Sequence, residues 1–326
     1  MGRPGPHGAE HWGGEMTGQQ WRSDLILWIL MAVVVATLPG NSWGADAADQ
    51  PPKTFANIAY GRHERQVLDF WQGAGSGPRP LLVFIHGGGW ITGDKGQKMP
   101  LFRPFLDRGI SCAAINYRLA PDHPLPAPVH DAARAIQFLR TKSREWEIDD
   151  TRIGLTGPSA GACTAMWLLL HDDLADPTAD DPVQRQSTRV CAAAVQVGQT
   201  SIDPRMLEGW MGPKVLLHPM IFRAVGEKTL EGALQNYESH RGDYAEFSPL
   251  NHVDAEDPPL FLECSAEMDL PARDAGHGIH HPIHGVKLKE RSDCVGHECH
   301  LLVPGHASSP QFATQNAFLM DKLLAR

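Results

Sequence analysis

Ser159 stands in Gly157-Pro158-Ser159-Ala160-Gly161, a G-x-S-x-G pattern. The apolar run 153–156 precedes it, and the run 163–170 (CTAMWLLL) follows at once. Together they read as a buried strand, a very tight turn and a helix that begins immediately. A serine on such a corner presents its hydroxyl at a sheet edge, and the chemistry it offers is nucleophilic attack on an acyl carbon. Glycine at 157 and 161 lets strand and helix approach where a Cβ would collide. Upstream, His86-Gly87-Gly88-Gly89-Trp90 leaves the apolar run 81–85 directly. Successive glycines there let backbone N–H groups turn towards one point. With the N–H of Ala160 they form a site for an oxyanion.

These residues need a frame to hold them. Residues 53–60 and 66–71 read as a short antiparallel pair, and 80–85 and 111–117 as strands buried on both faces. A helix begins near Val129, with Val129, Ala132, Ala133, Ile136 and Leu139 at helical spacing. Further strands are expected at 153–156, 190–197, 258–264 and 300–303, and a closing helix at 311–324. Strands separated by helix-length stretches predict an α/β fold, a mainly parallel sheet with helices on both faces. Residues 198–257 lack strand-like runs, and are expected to form a small lid or pocket wall above the sheet's C-terminal edge.

The string of motifs resembles a known group. HGGGW, then Gly93-Asp94-Lys95, Asn116-Tyr117-Arg118-Leu119-Ala120-Pro121, Pro126-Ala127, Arg152-Ile153-Gly154 and GPSAG are similar to the α/β-hydrolase superfamily. Within it the pattern is most similar to the hormone-sensitive-lipase-like carboxylesterases. The resemblance covers about residues 54–324 and is densest over 81–163. It implies an α/β-hydrolase fold with an eight-stranded, mostly parallel sheet, and a Ser-Asp-His triad in that chain order. Carried over residue by residue, it implies Gly88, Gly89 and Ala160 as oxyanion donors. It also implies Asp269, about five residues past the apolar run 260–264, as the acid, with Glu267 the alternative. The base is expected in the loop after the last strand, at His306, since His297 and His300 sit at that strand's other end. The chain departs from the group in carrying Pro158 where Asp or Glu is common and Ala162 where Gly is common.

The implied activity is hydrolysis of carboxylic esters through an acyl-enzyme on Ser159, with no cofactor and no metal. The same machinery serves an amidase or peptidase, and the same fold serves a non-catalytic exported binding protein. The 326 residues carry a net charge of −9 without a basic stripe, which argues against nucleic acid as a partner. Residues 25–38 (LILWILMAVVVATL) are apolar and uncharged, shorter than the roughly 20 residues of a membrane-spanning helix. With small residues at Ser42 and Gly44, they predict an export signal over 1–44, cleaved before Ala45, with Met16 the better start. Residues 45–326 are then one catalytic domain. The alternative is an uncleaved anchor formed by 25–38.

Other constellations have simpler readings. His277, His280, His281 and His284 have ligand-like spacing, but Gly276, Gly278 and Pro282 interrupt a helix there, and a solvated His-rich segment is expected. Asp274 reads as a helix-surface charge. Cys294 and Cys299 flank a polar loop, and in an exported protein they could form a local disulfide. Asp172, Asp173, Asp176, Asp180 and Asp181 read as a solvated acidic loop.

Overall fold

The computed structural model describes residues 43–45, 50–97, 99–306 and 311–325. The chain divides into two units, Met1–Trp43 and Gly44–Arg326, and the second holds the whole of the large sheet. The expected export segment, including 25–38, lies outside the described residues. No helix among the described residues is long and apolar enough to cross a membrane.

Eight strands form one sheet: β1 Phe55–Ala59, β2 Val67–Trp71, β3 Arg79–Ile85, β4 Ser111–Ile115, β5 Ile148–Pro158, β6 Ala192–Gln196, β7 Leu260–Glu263 and β8 Cys299–Leu302. Their order is β8-β7-β6-β5-β3-β4-β2-β1. β2 is antiparallel to both neighbours, and the remaining pairs are parallel. β3, β4 and β6 are buried at every position, as continuous apolar parallel strands must be when helices cover both faces.

The two faces separate by the period of two. Leu81, Val83, Ile85, Leu260 and Leu262 share one core cluster with α1 (Ala127–Thr141) and α2 (Ala160–Leu170). The alternate residue Phe261 instead meets Phe318 of the terminal helix Gln315–Leu324, at 5.6 Å between ring centroids. That terminal helix reaches β5 through Leu323, whose Cδ2 lies 3.2 Å from where a Cβ on Gly154 would sit.

Register lines up the ends that matter. Pro158 of β5 pairs with Gln196, Gln196 with Glu263, and Glu263 with Leu302. The loops leaving β5, β6, β7 and β8 therefore start from one row at the C-terminal edge, where open α/β sheets bind ligands. The stretch 198–257 is helical, with segments Pro204–Met211, Met220–Arg223, Leu230–Gln235 and Tyr237–Glu246. Three hydrogen bonds pin it to that edge. Leu125 N–H donates to Ala224 (2.8 Å), Ala272 N–H to Met211 (2.8 Å), and Trp167 Nε1 to Glu246 (2.9 Å).

Close approach at the β5–α2 corner leaves no room for a side chain at two positions. A Cβ on Gly157 would lie 2.3 Å from the Ile85 carbonyl oxygen, and one on Gly161 2.1 Å from it and 2.7 Å from that of His86. Both obstacles are backbone, so neither can swing aside. Gly161→Ala is expected to cost about 3 kcal/mol or more. Gly209→Ala, at an exposed helical position with nothing within 4 Å, should gain up to about 1 kcal/mol. Thermal unfolding of the two variants checks this; equal melting temperatures would contradict the packing account.

Candidate active site

Ser159 follows the last residue of β5 and caps α2, with φ 52° and ψ −122°. A left-handed φ on a residue with a Cβ is costly. Two bonds hold it, Ser159 N–H to Gln196 O (2.9 Å) and Cys163 N–H to Ser159 O (2.9 Å). Pro158, unexplained by the resemblance, fits because pairing with β6 continues through the Ser159 amide, and a proline needs no donor. The elbow also seats the glycine loop: a Cβ on Gly87 would lie 2.8 Å from Pro158 O and 3.4 Å from Ser159 Cβ.

In that loop Gly88 and Gly89 have φ of 103° and 63°. Among the described residues none accepts a hydrogen bond from either amide. Ala160 is the first residue of α2, so its N–H has no partner within the helix. The loop is braced from beneath. Trp90, fully buried with φ 58°, donates Nε1 to Thr164 Oγ1 of α2 (2.9 Å), and its carbonyl accepts from Ala120 N–H (2.8 Å). His86 stacks on Tyr117 at 4.1 Å, and the Tyr117 hydroxyl donates to the His86 carbonyl (2.7 Å). Arg65 donates to Tyr117 O (2.8 Å) and Gly93 O (2.9 Å). Arg118 forks onto buried Asp131 with Nε–Oδ2 at 2.8 Å and Nη2–Oδ1 at 2.6 Å. The YRLAP segment is thus a strut for the glycine loop.

The imidazole that meets Ser159 is His280, with Nε2 2.9 Å from Oγ. His280 Nδ1 lies 3.2 Å from the Gly276 carbonyl. An Nδ1–H donated to that carbonyl leaves the Nε2 lone pair to accept the serine proton, the tautomer a general base requires. The backbone of this turn is fixed from the loops after β6 and β7. Gln199 Nε2 donates to Ile279 O (2.7 Å), and Ser265 Oγ to His280 O (3.3 Å).

The expected base and acids of Ser159 lie apart from this pair. His306 lies exposed in the turn after β8, where its N–H donates to Val303 O (3.0 Å), and no described contact joins it to Ser159. The expected acids are also elsewhere. The Asp269 side chain is exposed, and it is the residue's carbonyl that accepts from His281 Nε2 (3.2 Å). Glu267 is exposed and ion-paired with Arg273. Neither carboxylate has a described contact with His280. The physical cause is a short helix, Ala275–Ile279, which Asp274 caps by accepting from His277 N–H (2.8 Å). Asp274 is thus an exposed charge, as expected, and it also caps this helix. The turn buries the histidines that were expected in solvent: His281 and His284 are 1% exposed. One nitrogen of each serves the backbone, His281 Nδ1 accepting from Ile283 N–H (3.0 Å) and His284 Nδ1 from Thr200 N–H (3.2 Å). Cys294 and Cys299 are free thiols, the first exposed at the end of helix Ile283–Val295 and the second buried in β8. Burial pushes the Cys299 thiol up to about 12.

A family model described as BD-FAE matches residues 68–269, more than half of the chain. The probable carboxylic ester hydrolase LipM of Mycobacterium tuberculosis is 32% identical over 211 residues, 63% of this chain and 46% of that protein. The esterase LipQ of the same organism is 29% identical over 213 residues, 64% and 47% of the two chains. The chain thus spans about half the length of the curated relatives it matches. Among solved structures, a carbohydrate esterase from gut microbiota superposes with a TM-score of 0.62 at 20% identity, covering 79% of this chain and 89% of its own. A thermophilic esterase from Thermogutta terrifontis gives 0.55 at 23%, covering 82% and 88%. These two likenesses show the fold, an α/β-hydrolase.

Burial, the larger cause, and nearby charge set the pH response of this edge. Desolvation lowers His86 to about 4, and lowers His218 and His284 to about 3. Between pH 6.5 and 4 the unfolded chain binds protons on these rings that the folded chain refuses, so stability falls as pH falls. Asp257, pushed up to about 6 by burial, works the other way, one group against three. The urea midpoint should drop from pH 7 to pH 4.5, and less steeply in His86→Gln. A midpoint rising over that range would contradict the neutral buried imidazoles.

Proposed function

The chain belongs to the BD-FAE family, and on that premise we propose that it is a serine hydrolase of carboxylic esters. The observation that carries the reading is the Ser159–His280 hydrogen bond at 2.9 Å, set beside a glycine loop whose Gly88 and Gly89 amides have no acceptor among the described residues. In this reading His280 Nε2 takes the Ser159 proton as Oγ attacks the acyl carbon, and the amides of Gly88, Gly89 and Ala160 stabilise the oxyanion. The protonated His280 passes that proton to the leaving alcohol. Water, deprotonated by His280, then releases the acid and restores Ser159. The Gly276 carbonyl holds the imidazole's tautomer, as a carboxylate does in triads.

One observation favours a second assignment of the base within the same chemistry. β7 and β8 start their loops from the same register row as β5. Strands about 4.8 Å apart place β8 roughly 14 Å from β5. The four residues from Leu302 to His306 span at most about 13 Å before the side chain is added. His306 could thus reach Ser159 with Asp269 behind it in a rearranged loop. The likeness to the ester hydrolases LipM and LipQ supports ester over amide as the scissile bond.

Single variants assayed on p-nitrophenyl acetate separate these readings. Ser159→Ala should lose about 10⁴-fold or more in kcat, and His280→Ala about 10³-fold or more, while His306→Ala stays within about fivefold. The opposite ranking of the two histidine variants would move the base to His306. An active Ser159→Ala protein would refute the serine mechanism. Export is part of the same proposal: mature protein starting at Ala45 supports it, and mature protein retaining Met1 contradicts it.

A further inference from the structure

One loop touches both members of the Ser159–His280 pair. At its start Gln196 O, the last carbonyl of β6, accepts from Ser159 N–H (2.9 Å). At its end Gln199, wholly buried, donates from Nε2 to the carbonyl of Ile279, the residue before His280 (2.7 Å). Between them Val197 has φ 44°. A positive φ on a β-branched residue is rare and costly, and such corners persist only where the surroundings over-determine them. Here three contacts do so. Val197 N–H donates to Glu263 O (2.8 Å), and Val197 O accepts from Gln199 Nε2 (3.3 Å). Gly198 is wedged against α2, where a Cβ on it would lie 2.7 Å from Ala162 Cβ and 2.8 Å from Met166 Cε.

The Gln199 carboxamide has one orientation open to it. Val197 O and Ile279 O are both acceptors, so the NH₂ end must face them, and the two bonds use both of its hydrogens. The strained corner and the His280 turn are thereby tied through a single nitrogen. The path between the pair is short: from the Ser159 amide to Gln196 O, along the loop to Gln199 Nε2, and through Ile279 O to His280. Thr200 continues the seam, its N–H donating to His284 Nδ1 (3.2 Å) and its Oγ1 to His284 O (2.9 Å). Those two bonds hold the far end of the turn, whereas the Gln199 bond acts on the residue next to His280.

We infer that Gln199 is a positioning residue for the reaction, one that sets the separation of Ser159 Oγ and His280 Nε2 through the Ile279 carbonyl and touches no reacting atom. The inference rests on His280 being the base under the serine esterase reading, and adds to it the group that holds the pair in register. Proton transfer needs the two atoms at hydrogen-bond distance, and a displacement of about 1 Å costs about 10²-fold in rate. The amide is spent on backbone carbonyls, so its loss falls on kcat and leaves KM alone.

The test is a double-mutant cycle in the full chain, assayed on p-nitrophenyl acetate. Gln199→Met keeps the length and volume of the side chain and removes the donor. It should lower kcat about tenfold or more, with KM within about twofold of wild type. In a His280→Ala background the same substitution should change kcat by less than about twofold, because a group that acts through His280 has nothing left to position. Gln199→Glu supplies a second readout. Its protonated carboxyl donates to a carbonyl and its carboxylate does not, so its kcat relative to wild type should rise as pH falls from about 9 to about 6. A merely structural role makes the Gln199→Met loss the same with and without His280, and that result would overturn the proposal. So would a Gln199→Met protein with wild-type kcat, a pH-independent Gln199→Glu ratio, or variants that fail to fold. A His280→Ala protein with wild-type activity would instead overturn the choice of base, and this inference with it.

Discussion

Everything at this site depends on how closely β5 and α2 approach the end of β3. Two carbonyl oxygens, those of Ile85 and His86, stand about where side chains on Gly157 and Gly161 would be. That contact fixes three things together. It forces the corner tight enough to put Ser159 at φ 52°, it aims the first amide of α2 at the space above the sheet, and it places the glycine loop beside the serine. The strain is local, and the packing that holds it is extensive. Every residue of α2 is buried. A helix buried all round cannot shift to relieve its first residue.

The glycine loop is held by a different kind of force. Three consecutive glycines have little conformational preference, so their geometry has to be imposed from outside. Trp90 does so from one end through Thr164 and Ala120, and the His86–Tyr117–Arg65 layer does so from below. The Arg118–Asp131 fork ties that layer to α1, with Gln66 Nε2 donating to the same carboxylate at 2.7 Å. These groups touch no reacting atom. In the proposed mechanism their effect is to hold the Gly88 and Gly89 amides where an oxyanion forms, which is how preorganised dipoles lower a barrier without reorganising during the reaction.

Much of this was legible in the residues. Buried parallel strands announce themselves as unbroken apolar runs, so β3 to β6 fell where expected, and the glycine pattern around Ser159 marked the tight strand-to-helix corner. The imidazole beside Ser159 was not legible, for a physical reason. Gly276, Gly278 and Pro282 look like helix breakers, and four histidines in eight residues look like a solvated segment. What makes 275–279 a helix is the Asp274 cap, and what buries the histidines is a set of backbone partners on β6 and β7 loops far away in sequence. One signal was available: an Asp three residues before His277 has N-cap spacing. The direction in which the loop after β7 turns its carboxylates is set by His277 and His281 gripping the carbonyls of Glu267 and Asp269, and no local pattern in the sequence encodes that.

The central claim is that Ser159 is a nucleophile activated by His280. Peptide mapping after treatment with a fluorophosphonate tests it most directly, because the reagent bonds to an activated serine far faster than to an ordinary one. A single adduct on Ser159, forming at a rate that collapses in His280→Ala, is the predicted result. An unmodified Ser159, or one modified equally fast without His280, would contradict it.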